Sequence, residues 1–276
     1  MPLSRTHDLL QKAATAGQAL FAFNIITLEY AEAVVDGAQA TDSPVVLQIS
    51  ENAVKYHDGR VAPLAAAAAQ LAHSSRTPVS LHLDHVTRLD LLYQAAEAGF
   101  SSVMFDAAAL PHEHNVATTL EAAKWAHAHD LHLEAELGEI GGKRGAHAPG
   151  IRTDPAEAAA FVDATGVDSL AVAVGNSHAM TQRDAVLDYE LIAALKQSVS
   201  LPLVLHGSSG VPDHALRRAV DNGITKINVG TLLNVHYTSA LRKGLKDETV
   251  VDPRPILRDA RTAMSAAVEE LCLQVV

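Results

Sequence analysis

The chain has 276 residues, 48% of them hydrophobic but only 4% aromatic, so Ala, Val and Leu must fill the core of what reads as one α/β domain spanning 1–276. The balance of 32 acidic against 21 basic residues gives a net charge of -11 and argues against nucleic acid as a partner. The lone cysteine, Cys272, excludes an internal disulfide and a thiolate-rich zinc site, and it suits a reducing cytoplasm.

The first twenty residues hold no basic segment followed by an apolar run, so no signal peptide is expected. The longest apolar block, 61–69, is interrupted by Pro63 and is far too short to cross a bilayer, so no membrane partner is expected either. A helical pattern at 6–16 comes first. Eight short runs rich in apolar and β-branched residues then recur: 20–24, 44–49, 78–84, 101–106, 131–136, 168–174, 202–206 and 224–229. A stretch with apolar residues at helical spacing follows each one: 31–41, 63–74, 89–98, 115–129, 156–165, 189–198, 214–222 and 231–245. Gly99, Gly166 and Gly223 stand just after three of these, where a left-handed helix cap is wanted. Eight βα units in a chain of this length predict a closed (β/α)8 TIM barrel. The segment 6–16 would plug its bottom. The tail 253–276 would add a C-terminal helix, with Ile256, Leu257, Ala260, Met264, Ala267 and Leu271 as an apolar stripe facing either the barrel or a second subunit.

A barrel places its active site at the C-terminal ends of the strands. Those ends read Asn24, Ser50, Asp84-His85, Asp106, Glu136, Gly175 to His178, His206-Gly207 and Asn228, polar or glycine-containing at every exit. Three exits offer histidine. His85, His178 and His206 together suit a catalytic zinc or similar divalent ion, although any one of them alone would more simply bond a loop backbone. Strand alternation sets Asp84 and His82 on one face and His85 on the other or in the turn. Asp84 then reads as a general acid/base beside the metal or, more plainly, as a helix cap, while His82 fills the barrel. Asp106 and Glu136 read as binding a second ion, orienting the histidines, or balancing basic groups at the rim. The small-residue turns Gly207-Ser208-Ser209-Gly210 and Asn228-Val229-Gly230-Thr231 each feed a helix N-terminus, where barrels commonly hold phosphate, although such turns are also ordinary loop chemistry. The glycine-rich segment 138–150, carrying Lys143, Arg144 and His147, is either a connector or a lid that attracts an anion.

The motifs HLDH, SVMFD, EAELGEIGG, GVDSLAVAVGNSH, LVLHGSSGVPD and KINVGT, in this order between about Asn24 and Arg254, resemble the class II, metal-dependent ketose-bisphosphate aldolases, which include fructose- and tagatose-bisphosphate aldolases. The resemblance implies the same barrel. It also implies reversible cleavage of a phosphorylated ketose to dihydroxyacetone phosphate and an aldehyde. His85, His178 and His206 match the family's zinc ligands and Asp84 its acid/base. Asp106 and Glu136 match a secondary metal or outer pair. Gly207, Ser209, Asn228 and Thr231 match positions that bind the phosphate and enediolate, and Asn24 and Ser50 match further substrate contacts. Arg254 resembles an arginine that binds the second phosphate, often from the neighbouring subunit of a homodimer or homotetramer.

Three positions depart from the family pattern. Lys143-Arg144 replaces an acidic pair that takes the carbanion's proton, which leaves His147, or Glu139, as the second base. Ala179 replaces a glycine of the loop serving phosphate and a monovalent cation, and Gly230 replaces an acidic residue found in some members. The substrate is therefore left open between fructose-1,6-bisphosphate, tagatose-1,6-bisphosphate and another phosphoketose. Two other readings are a Schiff-base aldolase using Lys226 and a phosphosugar-binding protein without turnover.

Overall fold

A computed structural model describes residues 3–137, 152–178 and 180–275. Eight parallel strands close into a barrel in sequence order: β1 (Leu20–Asn24), β2 (Val45–Ser50), β3 (Val79–Val86), β4 (Ser102–Phe105), β5 (His132–Leu137), β6 (Ser169–Val172), β7 (Leu203–Leu205) and β8 (Ile224–Val229). Their helices are α1 (Thr6–Ala16) before the barrel, α2 (Leu28–Ala40), α3 (Glu51–Tyr56), α4 (Ala62–Ser74), α5 (Leu89–Leu92), α6 (His112–Ala128), α7 (Pro155–Thr165), α8 (Tyr189–Ser198), α9 (Asp213–Asp221), α10 (Thr231–Gly244) and α11 (Arg254–Val275). Gly99, Gly166 and Gly223 all take positive φ just past their helices or turns. The predicted (β/α)8 architecture with its C-terminal helix is the observed one.

Alternation along the strands builds two distinct layers. Phe21, Phe23, Val45, Leu47, Leu81, Leu83, Leu133 and Ile227 belong to the large core shared with the surrounding helices. Their neighbours in sequence point into the barrel, and there the filling is largely polar. Ser80, Ser102, His132 and Ser169 sit low; Gln48, His82, Glu134 and Lys226 occupy the middle; Asp84, Glu136, His206 and Asn228 lie at the top, all buried. Helix α1 closes the bottom, where Leu9, Leu10 and Ala13 meet Leu20, Ala22 and Val46, and Thr6 bonds to Ser80 and Ser102. The apolar stripe of α11 lies on this same chain. Met264, Val268, Leu271 and Cys272 join the main core, and α11 packs against α2 and α10.

Two elements differ from expectation. The apolar pattern over 89–98 yields a helix only to Leu92, after which i to i−3 bonds (Gln94 to Leu91, Ala95 to Leu92) tighten the chain into turns. The helix α3 was not anticipated; Ser50 starts it by accepting a hydrogen bond from the Ala53 N–H at 3.2 Å. No helix of the described residues is long and apolar enough to cross a membrane.

Candidate active site

A cleft of about 790 Å³ opens at the C-terminal ends of the strands. Nine residues expected from the sequence line it: Asn24, Ser50, Asp84, His85, His178, Gly207, Ser209, Asn228 and Thr231. Gln48, Asn52, Tyr56 and Asn234 line it as well and were missed, because three of them lie on helices after the strands rather than at the strand ends. Asp106, Glu136 and His206 sit just behind this surface, and Arg254 is elsewhere. Its side chain is 87% exposed and paired with Asp252 at 2.7 Å. His147 and Glu139 fall outside the described residues.

Of the two places expected for His85, the opposite face or the turn, the structure has the turn. The register between β3 and β4 shifts between Leu83 and Val86, and His85 takes φ 50, the left-handed region that few non-glycine residues enter. That bulge turns His85 back toward the barrel mouth, so both side chains reach the same cleft. His85, His178, His206 and Glu136 are the one group among the described residues that could hold a metal ion, each offering a ligand atom within 4.8 Å of the others. The other nitrogen of two of these rings is engaged. His85 Nδ1 lies 2.7 Å from Asp106 Oδ2, and His206 Nε2 lies 2.9 Å from Glu134 Oε1. The ring atoms that would face an ion are then His85 Nε2 and His206 Nδ1. Asp106 is thereby placed behind a ligand, outside the four-residue group, whereas Glu136 is within it.

Electrostatics support the same assignment of space. His206 Nδ1 faces Glu136 Oε2 at 3.1 Å, an approach that requires positive charge. In the metal-free protein a proton supplies it. Burial lowers the His206 pKa, yet the hydrogen bond to Glu134 and the Glu136 carboxylate close by outweigh it and push the value up to about 9. A divalent cation held by the same atoms would meet the same demand, and a set of three imidazoles and one carboxylate is an ordinary donor set for such an ion. Asp84 is 1% exposed. Burial pushes its carboxyl upward, but His85, His206, His82 and Lys226 together hold it below the usual carboxylate range. Asp84 Oδ1 and Asn228 Oδ1 are buried without a hydrogen-bond partner among the described residues. Asp84 Oδ2 accepts from Asn24 Nδ2 at 3.2 Å.

The two small-residue turns are tied together. Ser209 Oγ accepts from the Leu232 N–H at 3.0 Å in the first turn of α10, and Ser208 donates to the Asn228 carbonyl. Gly207 has φ 60, and a Cβ there would come within 2.5 Å of the Ser177 carbonyl oxygen, so the turn beside His178 accepts only glycine without moving.

Residues 4–275 match the family model described as fructose-bisphosphate aldolase class-II. The chain belongs to the class II fructose-bisphosphate aldolase family. It is an aldehyde-lyase of a metal-dependent family that acts on small phosphosugars. Among solved structures, the YdjI aldolase from Escherichia coli K12 is 30% identical with a TM-score of 0.85, the match covering 99% of this chain and 97% of that one. A provisionally named fructose-1,6-bisphosphate aldolase from Coccidioides immitis is 30% identical with a TM-score of 0.89, covering 98% and 96%. The fructose-bisphosphate aldolase of Campylobacter jejuni shares the fold at 23% identity and a TM-score of 0.83, covering 99% and 95%. The remaining site feature concerns Lys226, the candidate Schiff-base lysine. It is 0% exposed, does not line the cleft, and donates to Glu134 Oε2 at 2.8 Å. An amine so committed has no path to a substrate carbonyl in the cleft.

Proposed function

We propose that this aldolase uses zinc, or a similar divalent ion, held by His85, His178 and His206 with Glu136 beside them. The substrate is a phosphorylated ketose of the fructose- or tagatose-1,6-bisphosphate type, cleaved reversibly to dihydroxyacetone phosphate and an aldehyde. The observation that carries this reading is the four-residue group converging beside buried, ionised Asp84 at the floor of the cleft. When bound, the ion would supply Lewis-acid polarisation of the ketone and stabilise the negative charge that develops on it.

The chain's own groups do the rest. Asp84 Oδ1, buried and without a hydrogen-bond partner among the described residues, accepts the proton of the hydroxyl whose carbon–carbon bond breaks, and the aldehyde departs. His147, in the glycine-rich segment, returns a proton to the three-carbon fragment. Backbone N–H groups at Gly207, Ser209 and Thr231, with the N-terminus of α10, take the phosphate. Asn228 Oδ1 accepts from a substrate hydroxyl, and Asn24 and Ser50 complete the contacts. Arg254 of a second copy in a homodimer or homotetramer reaches the far phosphate, which fits its exposure here. The chain acts as one domain in the cytoplasm, with a monovalent cation near Ala179.

The test is a panel of phosphorylated ketoses assayed for dihydroxyacetone phosphate before and after chelation. Cleavage that is lost with the metal and restored by zinc is expected, whereas full activity in metal-free protein would overturn the reading. Binding of a phosphoketose without turnover or proton exchange would favour a binding protein instead.

A further inference from the structure

Beneath the cleft, hydrogen bonds run across the middle of the barrel through Lys226, Glu134 and Gln48, to which the reaction gives no part. Lys226 Nζ donates to Glu134 Oε2 at 2.8 Å and lies 3.4 Å from Gln48 Oε1. On one arm, Glu134 Oε1 accepts from His206 Nε2 at 2.9 Å. On the other, Gln48 Nε2 donates to Asn24 Oδ1 at 3.0 Å, and Asn24 Nδ2 donates to Asp84 Oδ2 at 3.2 Å. Glu134 and Lys226 are 1% and 0% exposed. A buried ion pair is a poor way to fill a barrel, since well-packed apolar side chains of similar volume are often at least as stable. Its place in the chain suggests a different purpose.

A lysine ammonium can only donate, and that restriction sets every bond on both arms. Gln48 must present its oxygen to Lys226, so its NH2 faces Asn24, whose own NH2 then faces Asp84. Glu134, held by Lys226, must accept from His206, so the histidine keeps a proton on Nε2 and Nδ1, on the Glu136 side, is the nitrogen that would face the ion. We infer that Lys226 and Glu134 are positioning residues: the pair fixes the tautomer of His206 for the ion and the orientation of the amide that restrains Asp84. This rests on the metal reading above, with Lys226 acting through hydrogen bonds and forming no covalent bond to substrate.

Cobalt(II) is the probe, measured by competition with a chromogenic chelator and by the visible absorption of the saturated protein. The proteins are wild type, K226M, E134Q, and S169A as a control with an equally buried change low in the barrel. Outer partners of metal-binding histidines typically contribute roughly 10–100-fold in affinity. K226M and E134Q are expected to bind cobalt weaker by that order and to show an altered absorption envelope at saturation, while S169A matches wild type. Either variant, folded by circular dichroism yet equal to wild type in affinity and spectrum, would overturn the inference. Should K226M not fold, E134Q decides, because it keeps the volume but, with its one oxygen held by Lys226, turns an NH2 instead of an acceptor toward His206. A wild type that binds no cobalt would instead overturn the metal reading itself.

Discussion

His85 and Asp106 meet at 2.7 Å, Nδ1 to Oδ2, at the bulge that ends β3. The carboxylate fixes which ring nitrogen faces the cleft and compensates for the unusual φ of 50 by holding the ring in place. Replacing Asp106 with Ala should therefore weaken metal binding by roughly 10–100-fold while the fold persists. Competition with a chelator measures it, and unchanged affinity would show that the bulge alone orients His85.

Asp84 is expected to behave differently. Its Asn variant keeps the shape and the contact with Asn24, so metal content should stay at the wild-type level. Turnover should fall by about 10²–10⁴-fold, the usual contribution of a positioned acid/base. Metal stoichiometry and kcat on the same preparation separate the two effects. A loss of metal that tracks the loss of rate would make Asp84 a ligand instead.

Gly207 gives a prediction about the backbone. Ala at φ 60, 2.5 Å from the Ser177 carbonyl, must displace the loop carrying His178. The G207A variant should be destabilised by about 1 kcal/mol or more. It should also show a raised KM for phosphosubstrates, seen by urea unfolding and initial-rate kinetics.

Two buried histidines make stability depend on acid. His82 is lowered to about 3 by burial and by Lys226, and His132 to about 4, chiefly by burial. Both are neutral in the folded protein, whereas in the unfolded chain they take protons near the ordinary value of about 6.5. Below that value the unfolded state binds more protons, so stability present at neutral pH is lost as pH falls from about 6.5 toward 4 and 3. Urea midpoints at pH 7, 6 and 5 should decline, and the H132N variant should decline less steeply.

The barrel was legible because glycine and proline punctuate the chain and each apolar run has strand length. The strand exits could then be read off for polar groups without any knowledge of distances. The bulge at His85 could not be read, since a one-residue shift of register leaves no mark in residue type. The roles of Glu134 and Lys226 were hidden for another reason. They are 92 positions apart and meet only when β5 and β8 face each other across the closed barrel. The short α3 did carry a sign, Ser50 directly before Glu51, which is an ordinary helix start.

The donor-to-acceptor order through the barrel interior also bears on how such chains can be recombined. Gln48, Glu134 and Lys226 come from β2, β5 and β8, so a chimaera joined anywhere between residues 48 and 226 takes interlocking groups from two parents. Outward aliphatic positions can drift singly against their helices, but these interior positions must change as a set. Exchange of whole βα units between distant relatives should therefore succeed only where the incoming strand carries the same interior residue.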